Sequence, residues 1–188
     1  MSRLEQFVTD KLLAHISPRS PSDISLWKLA THLGVEVHLN PVPTHIFGPE
    51  NGPMIILDSR LPEPEQREAL AHELCHFVAH AGNQLTLTEM MTAPDETQAT
   101  RMSMYLLCPT DMLSAALDGV PFEDDEEVVT FIASDFNIPL TMAKQRLRLF
   151  RTERRKAPQL GLDYDMVWEH PGTGRRIYFK NGHLACTH

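Results

Sequence analysis

The segment Leu61–Gly82, LPEPEQREALAHELCHFVAHAG, constrains this chain more than any other. Prolines fall only at its start, acidic residues crowd the first turn and a glycine closes it, which are the start and stop signals of one long helix. Leu70, Leu74, Phe77, Val78 and Ala81 lie near one face, so this helix has to bury that face against something. The same helix carries histidines at four-residue intervals, His72, His76 and His80, with Glu73 directly after the first.

The flanking elements are short and can be read from local signals. Residues Arg3 to Ile16 place Leu4, Phe7, Val8, Leu12 and Leu13 at helical spacing. SPRSPSD breaks that pattern, and Ser22 or Asp23 is placed to cap the helix ISLWKLATHLG, which stops at Gly34. VEVHLN alternates as a strand does, HIFG reads as a short second strand, and PMIILD is the clearest strand in the chain. After the histidine helix, Asn83 to Pro94 shows no period and reads as a loop. DETQATRMSMYLLCP reads as a helix capped near Asp95. A helix in TDMLSAALDG comes next. EDDEEVVTFIASDFNIPLTMAKQRLRLF then reads as helix, turn at Asn137–Pro139, helix, and residues beyond Ala157 become strand-like with two glycine-bearing turns.

Bulk properties narrow the class. With 42% apolar and 22% charged residues in 188, a buried core is expected. The net charge of -8 opposes non-specific nucleic-acid binding, which depends on Lys and Arg neutralising phosphate. Three cysteines without CxxC spacing do not make a disulfide framework, which points to a reducing cytoplasm. The N-terminal MSRLEQFVTDKLL lacks the apolar centre of a signal peptide, and no apolar run approaches the roughly 18 residues of a membrane helix.

His72, Glu73 and His76 spell HExxH. Residues four apart on a helix sit only about 40° apart around the axis, so both imidazoles can face one ion. Glu73 lies about 100° round from His72, within reach of a metal-bound water without being a ligand. That arrangement suits zinc hydrolysis, with neutral imidazoles holding the ion and a carboxylate taking the proton of the water it acidifies. The opposing interpretation is an ordinary helix with surface histidines. A catalytic zinc also needs a third ligand. His80 lies about 12 Å beyond His72 along the axis, too far to converge on the same tetrahedral ion. The metzincin arrangement puts a histidine six residues after the second ligand, where this chain has Gly82. Glu96, 20 residues after His76 on the next helix, matches the gluzincin style of third ligand and is the leading candidate. Cys75 is expected to face the core as an inert thiol. Tyr105, on the opposite face from Glu96, is a poor oxyanion donor, leaving Tyr178, His170 and His183 as candidates from the tail.

EALAHELCHFVAH, ETQATRMSMYLLCP and IASDFNIPLTMAKQRLRLF, in that order, resemble the signature of the ImmA/IrrE family of metallopeptidases, over roughly Leu4 to Phe150. The resemblance implies an α+β fold. A mostly helical, zincin-like metallopeptidase domain would span residues 1–157, its catalytic region (residues 1–110) holding a small three-stranded antiparallel sheet. A helix-turn-helix-like region would fill residues 111–157, and a C-terminal β-ribbon extension residues 158–188. It also implies one Zn2+ per chain held by His72, His76 and Glu96, with Glu73 as general base. The family pattern Glu-x-x-Ala-Asn is here Glu96-Thr-Gln-Ala99-Thr100, so Thr100 stands where a longer polar side chain would hydrogen-bond a ligand histidine. His80 is expected to be structural or to support the site from beside the ligands. Met102 and Met104 replace an expected aromatic as a packing change.

The activity implied is a cytoplasmic zinc endopeptidase acting on a helix-turn-helix repressor of a mobile element, prophage or stress regulon, with PMIILD as the edge strand that receives the substrate. The alternative is a non-proteolytic regulator with structural zinc that binds DNA or a protein partner through its helix-turn-helix-like segment. DNA binding would use Lys144, Arg146 and Arg148, but the strongly acidic Glu123–Glu127 stretch beside them argues against it.

Overall fold

The computed structural model describes residues 2–48, 52–82 and 96–156 and three strands within 166–187, with side chains placed for 2–48, 52–79 and 96–154. The expected loop Asn83–Pro94, the cap at Asp95, the side chain of His80 and the turns of the C-terminal ribbon lie outside these described residues. The chain forms two compact units, Met1–Arg146 and Leu147–His188.

In the first unit, α1 (Arg3–Val8) starts at Ser2, whose hydroxyl accepts the Glu5 amide. The helix widens through a π-helical Thr9–Leu13, runs into α2 (Ala14–Ile16) and ends where Ser17 turns left-handed at φ 42°. A 3₁₀ turn, Pro21–Asp23, follows. The cap of α3 (Leu26–Leu33) is Ser25, not Ser22 or Asp23. The Asp23 carboxylate is already committed, because it accepts the amides of Arg19 and Ser20 and so closes its own turn. Gly34, at φ 70°, ends α3 in the left-handed conformation that glycine adopts without Cβ strain.

The sheet has three strands, β1 (Glu36–Asn40), β2 (His45–Phe47) and β3 (Met54–Asp58), in the order β1-β3-β2. It is mixed rather than wholly antiparallel. β2 pairs antiparallel with β3 through His45↔Ile56, whereas β1 runs parallel to β3 with Glu36 opposite Met54. PMIILD therefore becomes the central strand, buried at Ile55 and Leu57, and β2 forms an edge. A continuous apolar run suits a strand paired on both sides.

α4 (Glu63–Gly82) packs on β3, β2, α3 and α5 (Glu96–Leu107), and α5 in turn packs on α1. Leu70, Ala71, Leu74, Cys75 and Ala79 form its buried stripe, while Phe77 and Val78 are only partly covered. The core continues through Met102, Tyr105, Leu106 and Leu107 of α5 and Leu113 of α6 (Thr110–Leu117).

α7 (Asp125–Phe136) is capped by Asp124, which accepts the amides of Glu126 and Glu127, and ends at Asn137, left-handed at φ 48°. α8 (Leu140–Lys156) completes the helix-turn-helix-like pair. This turn is fastened to the start of the histidine helix. Arg67 donates to the Asn137 carbonyl at 3.2 Å, and the Asn137 side chain donates to Glu63 at 2.9 Å. In the second unit, β4 (Met166–Glu169), β5 (Arg176–Lys180) and β6 (His183–Thr187) form an antiparallel sheet with an irregularity between Tyr178 and Phe179. Among the described residues no helix is long and apolar enough to cross a membrane.

Candidate metal centre

One turn of α4 separates His72 from His76, and the helix buries Ala71 and Cys75 beside them so that the two half-buried imidazoles emerge along the edge of the stripe. Their Nε2 atoms stand 3.0 Å apart. The first residue of α5 brings its carboxylate to the pair, with Glu96 Oε2 3.1 Å from His72 Nε2 and Oε1 3.4 Å from His76 Nε2. Two ligand atoms about 2.0–2.1 Å from a tetrahedral zinc are separated by roughly 3.3 Å, so the observed spacings fit one ion. The donor set, two imidazoles and a carboxylate, fits a divalent metal that leaves a fourth position open. Among the described residues this is the one group of three such side chains gathered closely enough to hold a metal.

Glu73 shares a cavity of about 630 Å³ with all three, and β2 supplies another wall through His45, Ile46 and Phe47. Burial raises the pKa of the Glu73 carboxyl above its ordinary 4.5, reinforced by Glu96 and opposed by His72, His76 and His45. A carboxyl so tuned moves toward the range useful to a general base. A second cavity of about 360 Å³ meets the first at Thr44, His72 and Glu73, and Thr100 and Ser103 line it.

Four of the other sequence-derived candidates make contacts of a different kind, and the side chains of Tyr178, His170 and His183 lie outside the described residues. The Thr100 hydroxyl donates to the Glu96 backbone carbonyl at 2.7 Å, so its contact runs to the turn that carries the acidic residue and not to an imidazole. Tyr105 is fully buried, with its hydroxyl accepting from Ser2 at 3.3 Å, away from the cavity. Cys75 is fully buried and its thiol pKa is pushed far up by desolvation. Arg146 is not available to DNA phosphate. It is buried, donates to the Cys108 carbonyl at 2.8 Å and to the Thr110 hydroxyl at 2.6 Å, and stacks over Tyr105. Lys144 and Arg148 are exposed. Sequence signals do not single out His45 and the β2 wall, because a three-residue strand carries too little pattern to reveal which face meets the histidine helix.

Two helices that bring a His-His-Glu group together beside a small mixed sheet, with the Glu73 carboxyl in the same cavity, define a protein with a candidate divalent-metal site. The chain belongs to the ImmA/IrrE family of metallopeptidases: the peptidase family M78 model, described as the IrrE N-terminal-like domain, matches residues 30–148. It is similar to the phage-like element PBSX protein XkdA of Bacillus subtilis (strain 168), 31% identical over 157 residues that cover 84% of this chain and 76% of that protein. It is also similar to the uncharacterized protein YqaB of the same strain, 26% identical over 149 residues that cover 79% of this chain and 84% of that protein.

Proposed function

We propose that this protein is a cytoplasmic zinc-dependent endopeptidase whose substrate is a helix-turn-helix transcriptional repressor of a mobile element, prophage or stress regulon. The observation that carries the reading is the placement of the Glu73 carboxyl in one open cavity with His72, His76 and Glu96. Membership of a peptidase family supports a protein substrate, and similarity to a phage-element protein supports a repressor of such an element.

His72, His76 and Glu96 would hold one zinc ion, which when bound supplies Lewis acidity toward the attacking water and the scissile carbonyl. β2 lies at the edge of its sheet and lines the cavity, so an extended substrate segment can add to it and lie along the metal centre. The docking strand is thus β2, in place of PMIILD. Glu73 takes the proton from water as the new C–O bond forms, and gives it to the nitrogen as the C–N bond breaks. Ile46, Phe47 and Phe77 line the cavity with apolar surface beside the charged groups.

The test is co-expression with the helix-turn-helix repressor encoded nearest the gene, followed by mass spectrometry of the repressor. Wild type is expected to produce a single cut. Glu73→Gln is expected to retain zinc and fold while losing about 100-fold or more of the cleavage rate. A Glu73→Gln protein that cleaves as fast as wild type overturns the mechanism.

A further inference from the structure

A third histidine stands in the wall of the same cavity. His45 opens β2, and because alternate residues of a strand share a face, it lies on the same side as Phe47. Both line the cavity that holds His72, Glu73 and His76.

The His45 ring is held from two directions although it is exposed. Nδ1 stands 2.8 Å from the Pro43 carbonyl, and the ring stacks on Phe47 with centroids 5.3 Å apart and planes 27° from parallel. A carbonyl can only accept, so Nδ1 carries the hydrogen. This leaves Nε2 as the functional end of the ring, and among the described residues it has no hydrogen-bond partner. The ring also lies close enough to Glu73 to act on its carboxyl electrostatically.

We infer that His45 is a catalytic residue of the proposed peptidase, donating a hydrogen bond from Nε2 of its imidazolium to the scissile carbonyl oxygen as that oxygen becomes anionic. The inference rests on the peptidase reading above and supplies the oxyanion donor that the sequence leaves open among Tyr178, His170 and His183. In the addition step the water oxygen bonds to the carbonyl carbon, the carbonyl electron pair moves onto its oxygen, and Glu73 takes the water proton. His45 transfers no proton; its Nε2–H bond shortens toward the new charge and relaxes when the C–N bond breaks and that charge returns to the carbonyl. Two features prepare it for this role. The Pro43 anchor fixes the Nδ1 hydrogen, and Phe47 fixes the ring plane. The same strand would then both align the substrate backbone and activate its carbonyl.

The experiment compares wild type, His45→Ala and His45→Gln on the repressor, with zinc content measured in each. A phosphinic peptide built on the cleaved sequence mimics the tetrahedral state, and uncleaved peptide binding is measured in a Glu73→Gln background. His45→Ala is expected to lose about 100- to 1,000-fold in kcat and a comparable factor in phosphinate affinity, as expected for removing one oxyanion donor. Substrate KM, peptide affinity and zinc content should stay within about twofold. His45→Gln, which keeps a neutral donor, should recover a fraction of kcat. A His45→Ala protein with wild-type kcat or wild-type phosphinate affinity overturns the proposal, as does one that loses peptide affinity as fully as kcat. If wild type cleaves nothing, the peptidase reading falls and this proposal falls with it; if wild type cleaves and His45→Ala matches it, only the role of His45 is lost.

Discussion

Oε2 of Glu96 lies 3.1 Å from Nε2 of His72, 24 residues earlier on another helix. That contact converts a two-histidine pattern into a three-point site. Neither helix can form it alone, because the spacing between the ligand atoms depends on how α4 and α5 pack.

Glu96→Ala should therefore cost zinc affinity far more than a change at the supporting Thr100. A chelator-competition titration is expected to show a loss above about 100-fold, beyond the 10- to 100-fold usual when a supporting hydrogen bond is removed. Thr100→Ala, whose hydroxyl serves the Glu96 backbone carbonyl, should change affinity less than about tenfold. Equal losses in the two variants would mean that Glu96 is not a ligand.

Asp58 should govern a share of the acid stability. Its carboxylate accepts the Arg60 side chain at 2.8 and 2.7 Å and the Arg60 amide at 3.0 Å, and these bonds hold its pKa at about 2, against an ordinary 3.8. The folded pKa is depressed, so the stabilisation is fully present above the ordinary value and is lost as pH falls through about 2. Urea midpoints collected from pH 5 down to pH 2 should fall more steeply for wild type than for Asp58→Asn over that window. Parallel curves would show that the pair contributes nothing.

Arg146 should be a stability residue. Replacing it by Met keeps the bulk but leaves the buried Cys108 carbonyl and the half-buried Thr110 hydroxyl without their Arg146 partner. The expected loss is about 2–4 kcal/mol in urea unfolding at unchanged m-value, with Lys intermediate because it lacks the guanidinium fork. A gel-shift assay would give no weaker DNA binding for the variant, since the side chain is buried.

The described cysteines should be inert in the folded protein. Cys75 is inaccessible, and burial pushes the Cys108 thiol up to about 12 despite Arg146 nearby. Peptide-resolved iodoacetamide labelling of both is expected only at the rate of unfolding. Fast labelling of Cys75 in native buffer would reopen a redox role for it.

Most of the architecture is legible in the amino-acid sequence. The caps and breakers around Leu61–Gly82, the strand run PMIILD and the Asn137 turn are local signals, and the elements form where those signals put them. The histidine spacing and Glu73 are equally legible, because helical periodicity alone sets their relative angles. Arg146 is the counterexample. Its neighbours Lys144 and Arg148 are exposed, so sequence spacing groups it with them as a phosphate contact, although it lies on the covered face of α8.

Sequence by itself determined that one helix carries His72, Glu73 and His76 at angles suited to one ion, because propensity, capping and 3.6-residue periodicity act over a few neighbours. Only the tertiary structure decided that PMIILD is central and β2 the edge, that Glu96 reaches His72, and that His45 faces the same cavity. Those are relations between elements far apart in the chain. Strand order and helix packing are set by the burial of many side chains together, which no short stretch encodes.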